Sequence, residues 1–210
     1  MKNYQFAYGK GSVTLPLDEK NVLAELHGND TPPLEDIRTA LTESLEAPVD
    51  SAPLRQRIKP GDKAALVVSD MSRFWMRQDL VIPHIVDYLT GCCGMDEKNI
   101  TIVVANGTHP GGGEEELRRL VTDGVYERIK VENHDCMADD LVYLGTTPHG
   151  TPVKINRSAA EADMVICLGA CTHHVMAGFG GGRKSILPGV SAMETICHNH
   201  AFALDPACLR

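Results

Sequence analysis

The sequence predicts an α/β fold, a Rossmann-like parallel sheet with flanking helices in three layers, and two observations carry that prediction. From Pro60 onward, short β-branched apolar runs alternate with longer segments of helical periodicity. Uncommon polar residues then follow those runs directly, where an open parallel sheet gathers its ligands beyond the carboxyl ends of its strands.

Residues 1–60 read as an N-terminal extended and helical part. Tyr4 to Leu15 is extended, and Pro33 to Leu45 is expected to be a helix, with Pro33 in its first turn and Leu34, Ile37, Leu41 and Leu45 at helical spacing. Residues 61–200 read as the α/β core. Strands are expected at Ala64–Ser69, Ile100–Ala105, Ile129–Glu132 and Met164–Gly169, because buried parallel strands are near-continuous apolar runs. Helices are expected at Asp79–Cys92 and Glu114–Leu120, and turn residues Gly145, Pro148 and Gly150 suggest a hairpin within Leu141–Asn156.

Composition narrows the partners. A 210-residue chain with 43% hydrophobic content can bury one sizeable core. The formal net charge of -8, with acidic and basic residues interleaved, argues against a broad phosphate-backbone surface, so no nucleic-acid partner is expected. No apolar run reaches the roughly 20 residues of a membrane span, and Met1 to Lys10 lacks the apolar core of a signal peptide. No membrane association is therefore expected, and the location is read as cytoplasmic. Seven cysteines, with Cys92 and Cys93 adjacent, suit reduced thiols better than a disulfide framework.

The polar residues after the strands form a series: Asp70 and Arg73, then Asn106 and His109, then His134 and Asp135, then His173 and His174. Four strand ends are thus expected to deliver groups to one rim. Gly178 to Ser185, reading Gly-Phe-Gly-Gly-Gly-Arg-Lys-Ser, adds a glycine-rich loop whose backbone N–H groups can approach a phosphate while Arg183 and Lys184 supply charge. It is not a Walker loop, since Arg183 stands where that motif has glycine before lysine. His173, His174, His198 and His200 flank this loop, a crowding that suits metal or proton chemistry. His27, His84 and His149 read as structural. Two readings follow from these residues alone: a zinc-dependent hydrolase or lyase using Cys171, His173, His174, Cys197, His198 and His200, or a non-catalytic nucleotide- or phosphate-binding module built on the loop.

The run from Cys171 to Gly189 resembles the central signature of the nickel-dependent lactate racemase family, in which a histidine precedes a Gly-Gly-Arg-Lys element. Asp70-Met71-Ser72-Arg73 is similar to that family's Asp-x-Thr-Arg motif, and Asn106-Gly107-Thr108-His109 to its Gly-x-His loop. Asn133-His134-Asp135 through Asn156-Arg157 is similar to its middle region, so the resemblance covers residues 60–200. Ser72 and Phe74 depart from the usual threonine and proline.

The resemblance implies a racemase or epimerase of 2-hydroxy acids, with residues 1–210 as a cofactor-binding N-terminal domain and a C-terminal domain absent from this chain. Lys184 would carry a nickel-pincer nucleotide, pyridinium-3,5-bisthiocarboxylic acid mononucleotide with Ni, beside Gly180, Gly181, Gly182 and Arg183. His200 would ligate the metal, with His198 its rival, and His109 and His174 would be the acid/base pair, with His173 an alternative to the latter. Arg73 would bind the substrate carboxylate and Asp70 would orient a neighbour. Cofactor-biosynthesis enzymes and a small 2-hydroxy acid are the implied partners. The chemistry is coherent: an alcohol proton, with a pKa near that of water at about 15.7, moves to a histidine at about 6.5 only as hydride departs, a gap of roughly 12 kcal/mol. Two enantiomers present their hydroxyls from two directions, so two bases are wanted. Pro188-Gly189 is expected to turn the chain, and a short helix over Ser191–Cys197 to return His200 to the loop.

Overall fold

The computed structural model describes residues 1–29 and 31–208. Four strands, β3 (Ala64–Ser69), β4 (Ile100–Ala105), β5 (Lys130–Asn133) and β8 (Met164–Cys167), pair in parallel in the order β5-β4-β3-β8. The register aligns Ala64 with both Ile100 and Met164, so the central strands end level with one another. The chain runs outward from β3 to β4 to β5 and then returns to the other side of β3. That reversal creates a switch point between β3 and β8, where a crevice opens beyond the strand ends.

Alternation along the strands feeds two apolar layers. Leu66, Val68, Ile102 and Val104 face one way and pack with α3 (Ile82–Gly91), α4 (Glu114–Val121), α5 (Asp123–Tyr126) and α1 (Ile37–Glu46) through Ile82, Leu89, Leu120, Val125, Leu41 and Leu45. Ala65, Val67 and Val103 face the other way, toward Ile155 of β7 (Pro152–Ile155), Ala159 of α6 (Arg157–Ala160) and Val190. The result is the three-layer α/β architecture read from the sequence. Each fully buried Leu, Ile or Val of these layers contributes about 1.5–3 kcal/mol. Helix α4 is also placed by charge, with Glu114, Glu115 and Glu116 in its first turn and Arg118 and Arg119 in its last, matching the ends of its dipole.

The boundary within the N-terminal part differs from expectation. Residues 1–35 form one compact unit and the second begins at Asp36, so α1 and α2 (Leu54–Arg57) belong with the α/β core and not with a part ending at residue 60. The helix also starts later than Pro33: the Asp36 side chain accepts from the Thr39 backbone N–H at 3.2 Å and caps it, leaving Leu34 exposed. The first unit contains the hairpin β1 (Lys2–Tyr8) and β2 (Gly11–Leu17), with Phe6 opposite Val13. Within the second unit, the expected hairpin is β6 (Val142–Thr146) with β7. All six cysteines among the described residues with placed side chains are free thiols. No helix among the described residues is long and apolar enough to cross a membrane.

Candidate active site at the strand ends

The cleft lies where the switch point predicts it. Ser69 ends β3, Ala105 ends β4, and the loops that follow bring Arg73, Trp75, Asn106 and His109 to its wall. Ala170, Thr172, His174, Gly180, Gly181 and Lys184, all beyond β8, form the facing wall. Gly189 closes the base: a Cβ there would meet the Ser185 carbonyl oxygen and come within 2.9 Å of Ala105 Cβ, so only glycine lets the chain pass. Gly181 takes φ +69 beside the Ala170 carbonyl, where a Cβ would stand 2.8 Å from the oxygen. These close approaches fold the glycine-rich segment back over the end of β8.

Asp70 organises one wall. It is buried, and its Oδ1 accepts from Ser72 N at 3.2 Å, Ser72 Oγ at 2.5 Å and the Arg73 guanidinium at 3.4 Å. Its Oδ2 lies 2.5 Å from Nδ1 of His109, leaving Nε2 as the free nitrogen of a ring that lines the cleft. Serine at position 72 supplies the hydroxyl that the threonine of the similar motif would supply. On the opposite wall, β9 (His173–His174) pairs with β10 (Gly178–Phe179). His173 is exposed and tilts over Phe179 at 5.3 Å, whereas His174 turns into the cleft, its Nδ1 accepting from Met176 N and Ala177 N at 3.2 Å each.

Lys184 sits in a short 3-10 turn, Gly182–Ser185, that lines the same cleft. Burial, and secondarily the Arg73 charge, push its amine below the ordinary lysine value. A lysine held this way is a better nucleophile toward an activated acyl or thioacyl group than a solvated one. Arg183 is exposed and does not line the cleft, and Gly182, at φ +51 with open space around its Cβ position, leaves its backbone accessible beside it.

Two expected residues lie elsewhere. His134 does not reach the rim: it is 2% exposed, and its Nε2 donates to the Ser191 carbonyl oxygen at 2.9 Å, tying the end of β5 to the segment before α7 (Met193–Ala201). The rim is therefore built by three strand ends and not four. His200 lies on α7, which is longer than expected and carries both candidate histidines, so their side chains diverge by about 200°. His198 takes the side facing Thr151, at 3.2 Å, and Phe202. His200 donates from Nδ1 to the Ile196 carbonyl at 2.9 Å, which leaves Nε2 free, and it does not line the cleft. Among the described residues no three His, Cys, Asp or Glu side chains gather as a metal cage, so the Cys171 to His200 set does not assemble the zinc site that its spacing allowed. Trp75, the sole tryptophan, and Thr172 line the cleft without having been singled out. A tryptophan two residues beyond Arg73, in the segment that follows β3, was the available signal.

The His134 link supports a prediction. Burial pushes its imidazole below the ordinary histidine value. Stability attached to the neutral ring is thus fully present above about pH 6.5, the unfolded value, and is lost as pH falls toward the lowered folded one. His134→Gln keeps an N–H for Ser191 but cannot titrate. Denaturant unfolding between about pH 7 and 5 is expected to show a shallower acid slope for this variant, and an identical slope would assign the acid sensitivity to other groups.

Fold and cleft together define an α/β domain that sets an aspartate-held histidine, a second histidine, an arginine and a perturbed lysine around one space. The chain belongs to the lactate racemase N-terminal domain family, whose profile matches residues 8–208. It is 27% identical over 206 residues to the lactate racemase of Thermoanaerobacterium thermosaccharolyticum, covering 95% of this chain and 47% of that protein. It is 28% identical over 197 residues to the lactate racemase of Lactiplantibacillus plantarum, covering 92% and 46%. The chain spans about half the length of these curated relatives. The apoprotein structure of the T. thermosaccharolyticum lactate racemase superposes with a TM-score of 0.81 at 25% identity, over 98% of this chain and 48% of that one. A crystal structure of a Thermotoga maritima protein shares the fold, with a TM-score of 0.59 at 24% identity, over 78% and 40%.

Proposed function

We propose that this chain is the cofactor-binding half of a racemase or epimerase acting on lactate or a related 2-hydroxy acid by reversible hydride transfer. The observation that carries the reading is the pair of histidines lining one cleft, His109 braced by Asp70 and His174 by a backbone turn, with Lys184 in the same lining. The reading draws support from the two lactate racemases to which the chain is similar.

The residues around Lys184 suit a nickel-pincer nucleotide, while His200, its expected metal ligand, stands on α7 outside the cleft lining. Lys184 has the lowered amine that covalent attachment needs, and Gly182, with open space at its Cβ position, leaves backbone that a phosphate could approach, with Arg183 next in the chain. His200 offers a free Nε2 whose partner nitrogen is already oriented by a carbonyl, the arrangement usual for a metal-binding imidazole. When bound, that cofactor would supply the acceptor for the Cα hydride. Arg73, already positioned by Asp70, pairs with the substrate carboxylate and fixes the plane about which a flat 2-keto acid reorients. His109 takes the hydroxyl proton of one enantiomer, and His174 faces the hydroxyl of the other. Charge neutralisation by Arg73 is the chain's own contribution to binding.

Isotope tracing tests this reading directly. Cofactor-loaded protein, in a chain of the relatives' full length, is incubated with either lactate enantiomer in deuterium oxide. Racemisation with no deuterium at Cα is expected, since the hydride never exchanges with solvent. Deuterium at Cα in the product would mean proton abstraction and would overturn the hydride mechanism.

A further inference from the structure

We propose that the cleft holds its two facing histidines in opposite neutral tautomers, His109 protonated on Nδ1 and bare on Nε2, His174 bare on Nδ1 and protonated on Nε2. The hydrogen-bond partners dictate this. Backbone amides only donate, so the ring nitrogen of His174 that receives Met176 N and Ala177 N, both at 3.2 Å, has no proton of its own. The remaining proton of a neutral imidazole must then be on Nε2. For His109 the partner is a carboxylate oxygen at 2.5 Å, on a side chain whose other oxygen is engaged by Ser72 and Arg73. A carboxylate accepts, so Nδ1 carries the proton and Nε2 keeps its lone pair.

The consequence deepens the racemase reading and rests on it for the identity of the hydroxyl that enters the cleft. Of the two rings that line it, one presents an acceptor and the other a donor. The resting cleft is therefore ready for the enantiomer whose hydroxyl reaches His109. The mirror-image substrate meets a donor where it needs an acceptor. His174 serves it only after its Nδ1 leaves the two amides of the 176–177 turn and the ring proton moves. Enantiomers have equal free energies, so kcat/KM must be the same in both directions. The inequality between the walls is confined to kcat and KM taken separately.

The tautomers are measurable without cofactor or turnover. The 15N-labelled chain is studied near pH 8, above the ordinary histidine value of about 6.5, by long-range proton–nitrogen correlation through the ring carbons. His109→Gln and His174→Gln each delete one ring's signals and so identify them. The expected spectra show a protonated Nδ1 for His109 and a protonated Nε2 for His174. Asp70→Ala is expected to return His109 to the Nε2-protonated form that free imidazole favours, leaving His174 unchanged. The same tautomer at both rings, or an exchanging mixture at either, would overturn the assignment. Failure of the lactate assay would strike the racemase reading and leave these spectra standing, so the two can fail separately.

Discussion

Lys184→Ala, produced alongside the cofactor-making enzymes, is expected to emerge at its bare polypeptide mass, with no covalent adduct and no racemisation. The loss is total because the lysine amine would be the point of attachment, and no neighbouring group offers the same chemistry. Attachment requires an unprotonated amine, and an ordinary lysine near 10.4 is almost wholly protonated at pH 7. Burial and the nearby Arg73 push the Lys184 amine down, and each unit lower gives about tenfold more neutral amine. Lys184→Arg is expected to fail equally, since a guanidinium stays charged and does not attack. Neither change should unfold the site, because the turn is held by backbone bonds from Lys184 N to Gly181 O at 3.0 Å and from Gly189 N to Lys184 O at 3.1 Å. Intact-mass measurement decides the matter, and an adduct persisting on Lys184→Ala would place the attachment elsewhere.

The sheet was legible because buried parallel strands are written as apolar runs, and the short, β-branched stretches Ala64–Val68 and Ile100–Val104 favour strand over helix. The cleft was legible in part for the same reason, since groups following a strand must lie near its end. Whether such a group faces the cleft or the sheet edge is a tertiary fact. His134 follows β5 just as His109 follows β4, yet the Ser191 carbonyl, distant in sequence, captures it. The two histidines of α7 pose a related problem, because their divergence depends on the helix reaching Ala201 rather than ending near Cys197. Competing signals bear on the start of α1. Pro33 suits a first turn, but Asp36 with Thr39 three residues on satisfies a backbone donor and so sets the boundary. Trp75 gave no periodic signal at all, and its place at the cleft mouth follows only from the irregular path of the chain after Arg73.

Asp70→Asn is expected to lower kcat of the loaded, full-length protein by about 10³–10⁴ while leaving the covalent adduct intact. The substitution removes no volume and keeps a side-chain oxygen, so the argument turns on where its amide must point. Oδ1 of Asp70 receives two donors from Ser72, at 3.2 Å and 2.5 Å, and a third from Arg73 at 3.4 Å. An asparagine keeps those contacts only by placing its oxygen there, which turns its NH2 group toward His109 Nδ1. That nitrogen must then accept, the ring proton moves to Nε2, and the cleft loses its base while every heavy atom stays in place. The same exchange in the serine-protease triad costs about 10⁴ in kcat for this reason, and general-base catalysis on its own contributes about 10²–10⁴. Arg73 also loses a charged partner and holds the substrate carboxylate less firmly, so KM should rise modestly. Lys184 touches none of these atoms, and its adduct serves as the internal control for folding and loading. Activity within about tenfold of the parent, with the adduct present, would show that the aspartate positions the ring without selecting its tautomer.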